Sequence, residues 1–441
     1  MKNKLIILFF IILTHCSFDN KTGIWQGGNI QDDKKKDQFR DFQELNTSLK
    51  SFNTLIKKSD NYLIKLGDVQ SSKKWNDEFY NTTNNLDNFS YPNNNDVILI
   101  SKKLTTKKTN DKILFDGENF ITTDIKGNII VYSLNEQKIT FRYNFYKKRY
   151  KKIEKKLKII IEENIVYVAD NIGFFYSLDY KNKRLVWAFN NKIPFRSNIK
   201  IYQDNLILAD QDNSLHIVNK IDGKKVFNIP TTKTILKNNF INSLSLNKNT
   251  LIYLNTYGSL YSFNTENFKI NWFININQNT EFRPGNLFFS NPVIIYDDKV
   301  IVSSNTLLQI LDLNSGRTIF KKSITSVVKP IVSANNLFLI TNDNLLVCIN
   351  ISKGEIIFSL NIADKIANYL ETKKRSVVTK SIFLIKNDLY IFLNNSFLIK
   401  FNIEGKIKEI IKLKKKLLVG PIFYDNLMMY IDKKNKLIVT N

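Results

Sequence analysis

Cysteine and histidine are nearly absent: Cys16, Cys348, His15 and His216 are the only ones in 441 residues. One disulfide at most can form, no zinc cluster can, and a catalytic triad would have to share very few imidazoles. The chain also has no vicinal cysteine pair, Cys-x-x-Cys-His, phosphate loop, Gly-x-Ser-x-Gly or His-Glu-x-x-His. Those absences remove the quinone, haem, nucleotide, serine-hydrolase and metalloprotease signatures, and with no acidic calcium cluster either, no cofactor and no enzymatic activity are expected. Glycine (14) and proline (7) are scarce, while Lys, Asn, Ile and Phe abound along the whole chain. The excess of 65 basic over 40 acidic residues, a net of +25, therefore reads as a chain-wide bias rather than a patch built for one anionic partner.

What is present begins with an export signal. Lys2 and Lys4 precede an apolar run over residues 5–13, which is too short for the roughly 20 residues of a permanent membrane span. It ends in Leu13-Thr14-His15-Cys16, which resembles a bacterial lipobox and makes Cys16 the expected site of lipidation. His15 departs from the small residue usual there. With Cys16 lipidated, Cys348 in Leu346-Val347-Cys348-Ile349 has no partner, and its apolar strand makes it a small buried side chain.

Residues 17–75 carry no strand alternation and are expected to form a flexible tether, with Trp25 a lone tryptophan in its polar first part. Within it Phe39, Phe42, Leu45, Leu49, Phe52 and Ile56 recur at steps of three and four, which predicts a short amphipathic helix over about 39–56. Beyond Asp96 the pattern changes to short apolar runs between Asn, Asp, Gly and Lys clusters, the signature of many strands.

A repeat governs that region. Tyr132-Ser133-Leu134-Asn135, Tyr176-Ser177-Leu178-Asp179, His216-Ile217-Val218-Asn219, Tyr261-Ser262-Phe263-Asn264, Gln309-Ile310-Leu311-Asp312, Val347-Cys348-Ile349-Asn350, Ile399-Lys400-Phe401-Asn402 and Ile438-Val439-Thr440-Asn441 are eight copies of one strand end. The steps between them run from 38 to 52 residues, about the length of a four-stranded propeller blade. The anchor Asn or Asp starts an Asx turn. Eight residues later stand Tyr143, Trp187, Phe227, Trp272, Phe320 and Phe358, expected to wedge between neighbouring blades, with Ile410 breaking the series. The chain ends at the eighth anchor, so the last blade needs an outer strand from elsewhere, and the run at 96–101 is expected to close the ring.

These copies resemble the PQQ-like repeat family, most clearly in Gly173 through Trp187, Gly258 through Trp272, and Leu311-Asp312-Leu313-Asn314-Ser315-Gly316-Arg317. The resemblance spans about four-fifths of the chain. It implies an all-β fold: an eight-bladed β-propeller of four-stranded PQQ-like repeats over 96–441, preceded by the tether and, over 1–16, by the signal peptide. Joined to the lipobox, it is most similar to the BamB-type scaffold lipoproteins. That likeness implies a non-enzymatic monomer, lipid-anchored at the periplasmic face of the outer membrane. Its implied partner is the central barrel protein of the outer-membrane β-barrel assembly machinery (the BAM complex). The implied contact is an inter-blade loop with two apolar residues and an arginine, which Ile193, Phe195 and Arg196 fit and which Phe282-Arg283-Pro284 rivals. A ligand- or polysaccharide-binding propeller is the second reading, and a quinone-dependent dehydrogenase a remote third.

The densest basic stretch, Lys147-Lys148-Arg149-Tyr150-Lys151-Lys152 with Lys155, Lys156 and Lys158, joins the first two units. In an exported protein nucleic acid is not the expected partner, and a solvated loop or a contact with anionic head groups remains, together with Lys412, Lys414, Lys415 and Lys416. His216, alternating with apolar neighbours, reads as a rim or core side chain.

Overall fold

The computed structural model describes Ser17–Phe18, Trp25–Gln26 and residues 52–441 apart from 60–61, 93, 147–149, 234–241, 278–287, 306 and 375. The chain divides into Met1–Lys50 and Ser51–Asn441. In the first unit Ser17–Phe18 pairs antiparallel with Trp25–Gln26. Cys16 and positions 39–51 of the expected helix lie outside the described residues, as do Lys147, Lys148, Arg149 and the rival segment Phe282-Arg283-Pro284.

The second unit holds eight four-stranded antiparallel blades. From inner to outer strand, blade 1 runs from Thr109–Phe115 to Lys138–Asn144, blade 2 from Leu157–Glu162 to Arg184–Asn190, and blade 3 from Lys200–Tyr202 to Lys225–Ile229. Blade 4 runs from Ser243–Asn247 to Ile270–Asn275, blade 5 from Ile294–Tyr296 to Thr318–Lys322, blade 6 from Ile331–Ser333 to Ile356–Asn361, and blade 7 from Thr379–Ile385 to Ile407–Lys412. Blade 8 has Ile422–Tyr424, Leu427–Ile431 and Lys436–Thr440, and takes Val97–Lys103 as its outer strand, with Ile438 opposite Ile100 and Val439 opposite Leu99. The two middle strands of each blade are buried on both faces, as in Asn336–Ile340 and Leu345–Asn350, because neighbouring blades cover them. Cys348 is fully buried there. One helix among the described residues, Ile362–Tyr369, follows blade 6 and is capped by Asn361, whose side chain accepts from the Asp364 N–H at 3.1 Å.

Blades 2 to 6 turn from third to fourth strand in one way. The anchor side chain accepts from the N–H three residues on: Asp179 from Asn182 (2.9 Å), Asn264 from Asn267 (3.2 Å), Asp312 from Ser315 (2.7 Å) and Asn350 from Lys353 (3.0 Å). The strand pair then slips by one residue just before the anchor. In blade 1 this geometry falls on Ser133, not Asn135: Ser133 Oγ accepts from Glu136 N, and the slip lies between Val131 and Tyr132. Serine makes the same turn as Asn, so the sequence register was two residues late. The residue at the Trp187 position is accordingly Phe141, opposite Val131, and Tyr143 sits two pairs further along, opposite Ile129.

The aromatic side chains work as wedges by meeting the left-handed residue in the next blade's turn. Trp187 covers Gly223 (φ 73°) and donates from Nε1 to Lys220 O at 2.9 Å; Trp272 covers Gly316 (φ 69°) and donates to Leu313 O at 2.9 Å. Phe320 covers Gly354, whereas Gly405 is met by Leu360 rather than by Phe358, which stays 3.9 Å from where a Cβ on Gly405 would stand. Blade 4 has Phe268 at φ 54° instead of glycine, and Phe227 meets that ring at 5.7 Å while staying 48% exposed. Blade 8 takes its outer strand from Val97–Lys103, so it has no such turn for blade 7 to cover. There Glu409, opposite Lys400, forms an ion pair at 2.5 Å where the other blades carry an aromatic.

The expected tether ends earlier than 75. Residues 52–59 are extended rather than helical: Phe52 N donates to Ser323 O at 3.2 Å, and Ile56 exchanges backbone bonds with Ser359 on the outer strand of blade 6 (3.2 and 2.9 Å). That strand's open edge offers the backbone partners a helix would have found internally. Further on, Asn350 Nδ2 donates to Tyr62 OH, Asn336 Nδ2 to Lys65 O, and Gly67 N to Ser333 Oγ, fastening the segment to blade 6.

Candidate functional site

Residues 72–91, assigned no role from the sequence, plug one end of the central channel and touch the inner edges of all eight blades. Trp75 exchanges backbone bonds with Phe115 of blade 1 (2.8 and 2.9 Å), and Ile161 N of blade 2 donates to Asn76 O (2.9 Å). Lys200 of blade 3 reaches Asp77 at 2.6 Å. Leu246 N of blade 4 donates to Thr82 O (2.8 Å) and Ile295 N of blade 5 to Thr83 O (3.0 Å). Asn85 both donates to and accepts from the Val332 backbone of blade 6 (2.8 and 3.0 Å). Asn88–Phe89 adds in parallel to Thr379–Ile385 of blade 7, and Ser72 Oγ accepts from Asp425 N of blade 8 (2.8 Å). These contacts gather at the ends of the inner strands. Trp75, Tyr80 and Phe89 form one ring cluster, with centroids 4.8 to 6.0 Å apart, that continues into Phe423.

Polar groups that such a plug buries must be paired, and most are. Lys200 is fully buried and donates to Asp77 Oδ2 (2.6 Å), Asn81 O (2.9 Å) and Asn84 Oδ1 (2.7 Å), which supplies every ammonium proton. Burial still pushes its pKa below the ordinary lysine value. Glu78 accepts from Ile159 N (3.2 Å) and pairs with Lys158 (3.3 Å).

The other end of the channel keeps a cavity of about 320 Å³. Trp75, Phe79 and Leu86 of the plug line it together with Ile382 and Phe383, and Lys112 and Lys329 reach into it. Lys112 also borders a groove of about 470 Å³ shared with Lys108, Lys156, Lys158 and Arg196. The groove is strongly basic. The connections preceding blades 2 and 8, which carry the basic residues 151–158 and 412–416, emerge at this same end, where inner strands begin. Lys155 is not part of a solvated run: it is 1% exposed, donates to Tyr150 O and lies 5.1 Å from the Tyr146 ring.

Ile193, Phe195 and Arg196 lie at this end too, in the connection from blade 2 to blade 3, but they are not equivalent. Phe195 is 2% exposed. Its ring sits between Phe175 (5.7 Å) and His216 (5.7 Å), and its N–H donates to Asp170 O at 2.9 Å. Phe195 pairs with Asp210 as Leu417 pairs with Asp432 in blade 8, so it is a staple of the repeat and not an exposed anchor. Ile193 and Arg196 remain partly accessible. The Arg196 backbone is pinned to Ala209 O (2.9 Å), while no described residue accepts from its guanidinium. His216 is buried, with Nε2 2.7 Å from Asp210 Oδ2. Among the described residues no group of three His, Cys, Asp or Glu side chains converges to hold a metal.

Fold and repeat together define an eight-bladed β-propeller with a channel stoppered at one end by residues 72–91 of the same chain. Residues 157–360 match the family described as PQQ_2, outer membrane protein assembly factor BamB. Among solved structures, BamB from Moraxella catarrhalis is similar at 14% identity, covering 78% of this chain and 100% of its own, with a TM-score of 0.60. The computationally designed Ika8 protein is similar at 10% identity over 77% of this chain and 99% of its own (TM-score 0.57). A europium-containing methanol dehydrogenase is similar at 9% identity over 83% and 89% (TM-score 0.58). At these identities the likeness is one of fold. No curated protein matches the chain.

Proposed function

We propose that the protein is a non-enzymatic scaffold lipoprotein, anchored through Cys16 at the periplasmic face of the outer membrane, that supports assembly of outer-membrane β-barrel proteins through protein contacts. The observation carrying this reading is the match of residues 157–360 to the BamB-described family, with a fold that spans the whole of a solved BamB. The export signal and lipobox-like end agree with it, and among the described residues no helix is long and apolar enough to cross a membrane. The proposed contact is the accessible part of the connection between blades 2 and 3, Ile193 and Arg196, an apolar side chain and a guanidinium that no described residue accepts from.

The test is a crosslinking pull-down of the tagged protein from its native envelope, comparing wild type with Ile193→Ala/Arg196→Ala. Phe195 is left intact because its removal would open the core. Recovery of the barrel-assembly machinery by wild type, reduced at least about tenfold in the double variant, supports role and interface. Recovery unaffected by the variant overturns the interface, and failure to recover any of the machinery overturns the role.

A further inference from the structure

The channel cavity contains a local excess of positive charge. The plug's two inward carboxylates are already used: Asp77 pairs with Lys200 and Glu78 with Lys158. Asp87 accepts from Tyr80 OH at 2.8 Å. Two further ammonium groups face the cavity with no carboxylate of their own. Lys112 Nζ stands 4.6 Å from the centroid of the Phe79 ring, and no hydrogen-bond acceptor among the described residues holds it. Lys329 Nζ stands 5.9 Å from the same ring and donates to Phe79 O (3.2 Å) and Asn84 O (2.5 Å). An ammonium carries three protons, so Lys329 keeps one donor in hand. A third donor belongs to Ser381, which lines the cavity and whose buried Oγ has no hydrogen-bond partner among the described residues.

Two cations beside one ring in a partly desolvated space, neither in a close ion pair among the described residues, are costly unless an anion joins them. Burial pushes both lysine pKa values down, Lys329 well below its ordinary value, and Lys112 and Lys200 add to the depression of Lys329 by repulsion, while Glu78, Asp111 and Asp77 near Lys112, and Asp77 and Asp87 near Lys329, offset it only in part. The remaining walls include Glu78, whose carboxylate is paired with Lys158, and Asn291, and are otherwise mostly apolar, with Leu86, Val328, Ile382, Phe383 and Pro421 beside the Trp75 ring. A volume of about 320 Å³ suits a small organic molecule. We propose that this cavity binds a small organic oxyanion, a carboxylate or phosphate monoester on a compact apolar body, its charge held between Lys112 and Lys329 with Ser381 Oγ donating to it. This site is independent of the scaffold reading, since it uses none of the residues proposed to meet a protein partner.

The test is calorimetric titration of the full chain in detergent with benzoate, phenyl phosphate, inorganic phosphate and uncharged benzyl alcohol. Lys112→Gln is the decisive variant, because Lys112 Nζ holds no bond that folding needs; Ser381→Ala is the second, and Lys408→Gln, on an exposed ion pair with Asp388, is the control. At least one aromatic anion should bind, weakened about tenfold by Lys112→Gln, several-fold by Ser381→Ala and not at all by Lys408→Gln. The ratio of benzoate to phenyl phosphate affinity separates a carboxylate site from a phosphate site. Inorganic phosphate binding as tightly as phenyl phosphate overturns the role of the apolar walls. Failure of both aromatic anions to bind, equal binding of benzyl alcohol, or affinity untouched by Lys112→Gln and Ser381→Ala overturns the site.

Discussion

At single residues, the joints from blade 2 to 3, blade 4 to 5 and blade 5 to 6 are each a large aromatic resting on a left-handed glycine. At Gly316 a Cβ would stand 2.5 Å from the Trp272 ring, on a backbone at φ 69°. Gly316→Ala should therefore destabilise by about 1–3 kcal/mol through left-handed strain and the ring clash together. In a Trp272→Ala background only the backbone share of that cost should remain, so urea denaturation of the double-mutant cycle should give a clear coupling between the two positions. The anchor offers a pH test. Bonds from the Ser315 hydroxyl (2.6 Å) and N–H (2.7 Å) hold the Asp312 carboxyl below its ordinary pKa. A depressed carboxyl contributes stability above the unfolded value and loses it as pH falls through the folded one. Asn219, Asn264, Asn350 and Asn402 accept the same kind of turn bonds uncharged. Asp312→Asn should leave the neutral-pH midpoint within about 0.5 kcal/mol of wild type and flatten the acid limb of a thermal-melt series. A variant as acid-sensitive as wild type would remove Asp312 from the account.

Among the structural elements, the plug replaces a filled hydrophobic channel with polar anchoring. Its buried pair should show the asymmetry of such pairs: Asp77→Ala leaves Lys200 charged and short of a partner, at a cost of about 3–5 kcal/mol. Adding Lys200→Met should recover most of that loss, as read by chemical denaturation; a double variant no better than the single would mean the ammonium is content with Asn81 and Asn84 alone. The elements also show what sequence could carry. The eight anchors and their wedges were legible because one local turn is rebuilt in every blade, with Asn or Asp starting it. The two-residue offset in blade 1 arose because Ser133 and Asn135 are both competent turn starters, and only strand pairing distinguishes them. The plug was illegible for the opposite reason. Its run, Asn81-Thr82-Thr83-Asn84-Asn85, has the composition of a loop, and its residues share out blades 3 to 6 among them without a fixed step, so no period marks it. Phe195 likewise fits an exposed contact and a buried staple equally well until the Asp210 bridge is seen.

For the molecule as a whole, residues 52–103 hold both devices that complete the toroid: the plug that touches every blade and the strand that finishes blade 8. Propeller blades otherwise meet only their neighbours, so opening one junction would leave the rest with little resistance to fraying. Fastening at the axis couples blades that are far apart in sequence, as when Asn84 Nδ2 donates to Leu244 O of blade 4 and to Val293 O just before blade 5. Three truncations separate the contributions. Removing residues 1–51 takes away none of these contacts and should leave the thermal midpoint of the propeller unchanged. Starting at residue 94 keeps the blade 8 outer strand but strips the plug, leaving Lys200 unpaired and Phe423 without Phe89; the midpoint should fall and the transition broaden as axial coupling is lost. Starting at residue 104 also exposes the edge of Lys436–Thr440, and size-exclusion chromatography should then show self-association through that open strand. Equal midpoints for the first and second truncations would mean that the ring is held by its blade junctions alone, and that the plug serves the cavity it floors rather than the stability of the fold.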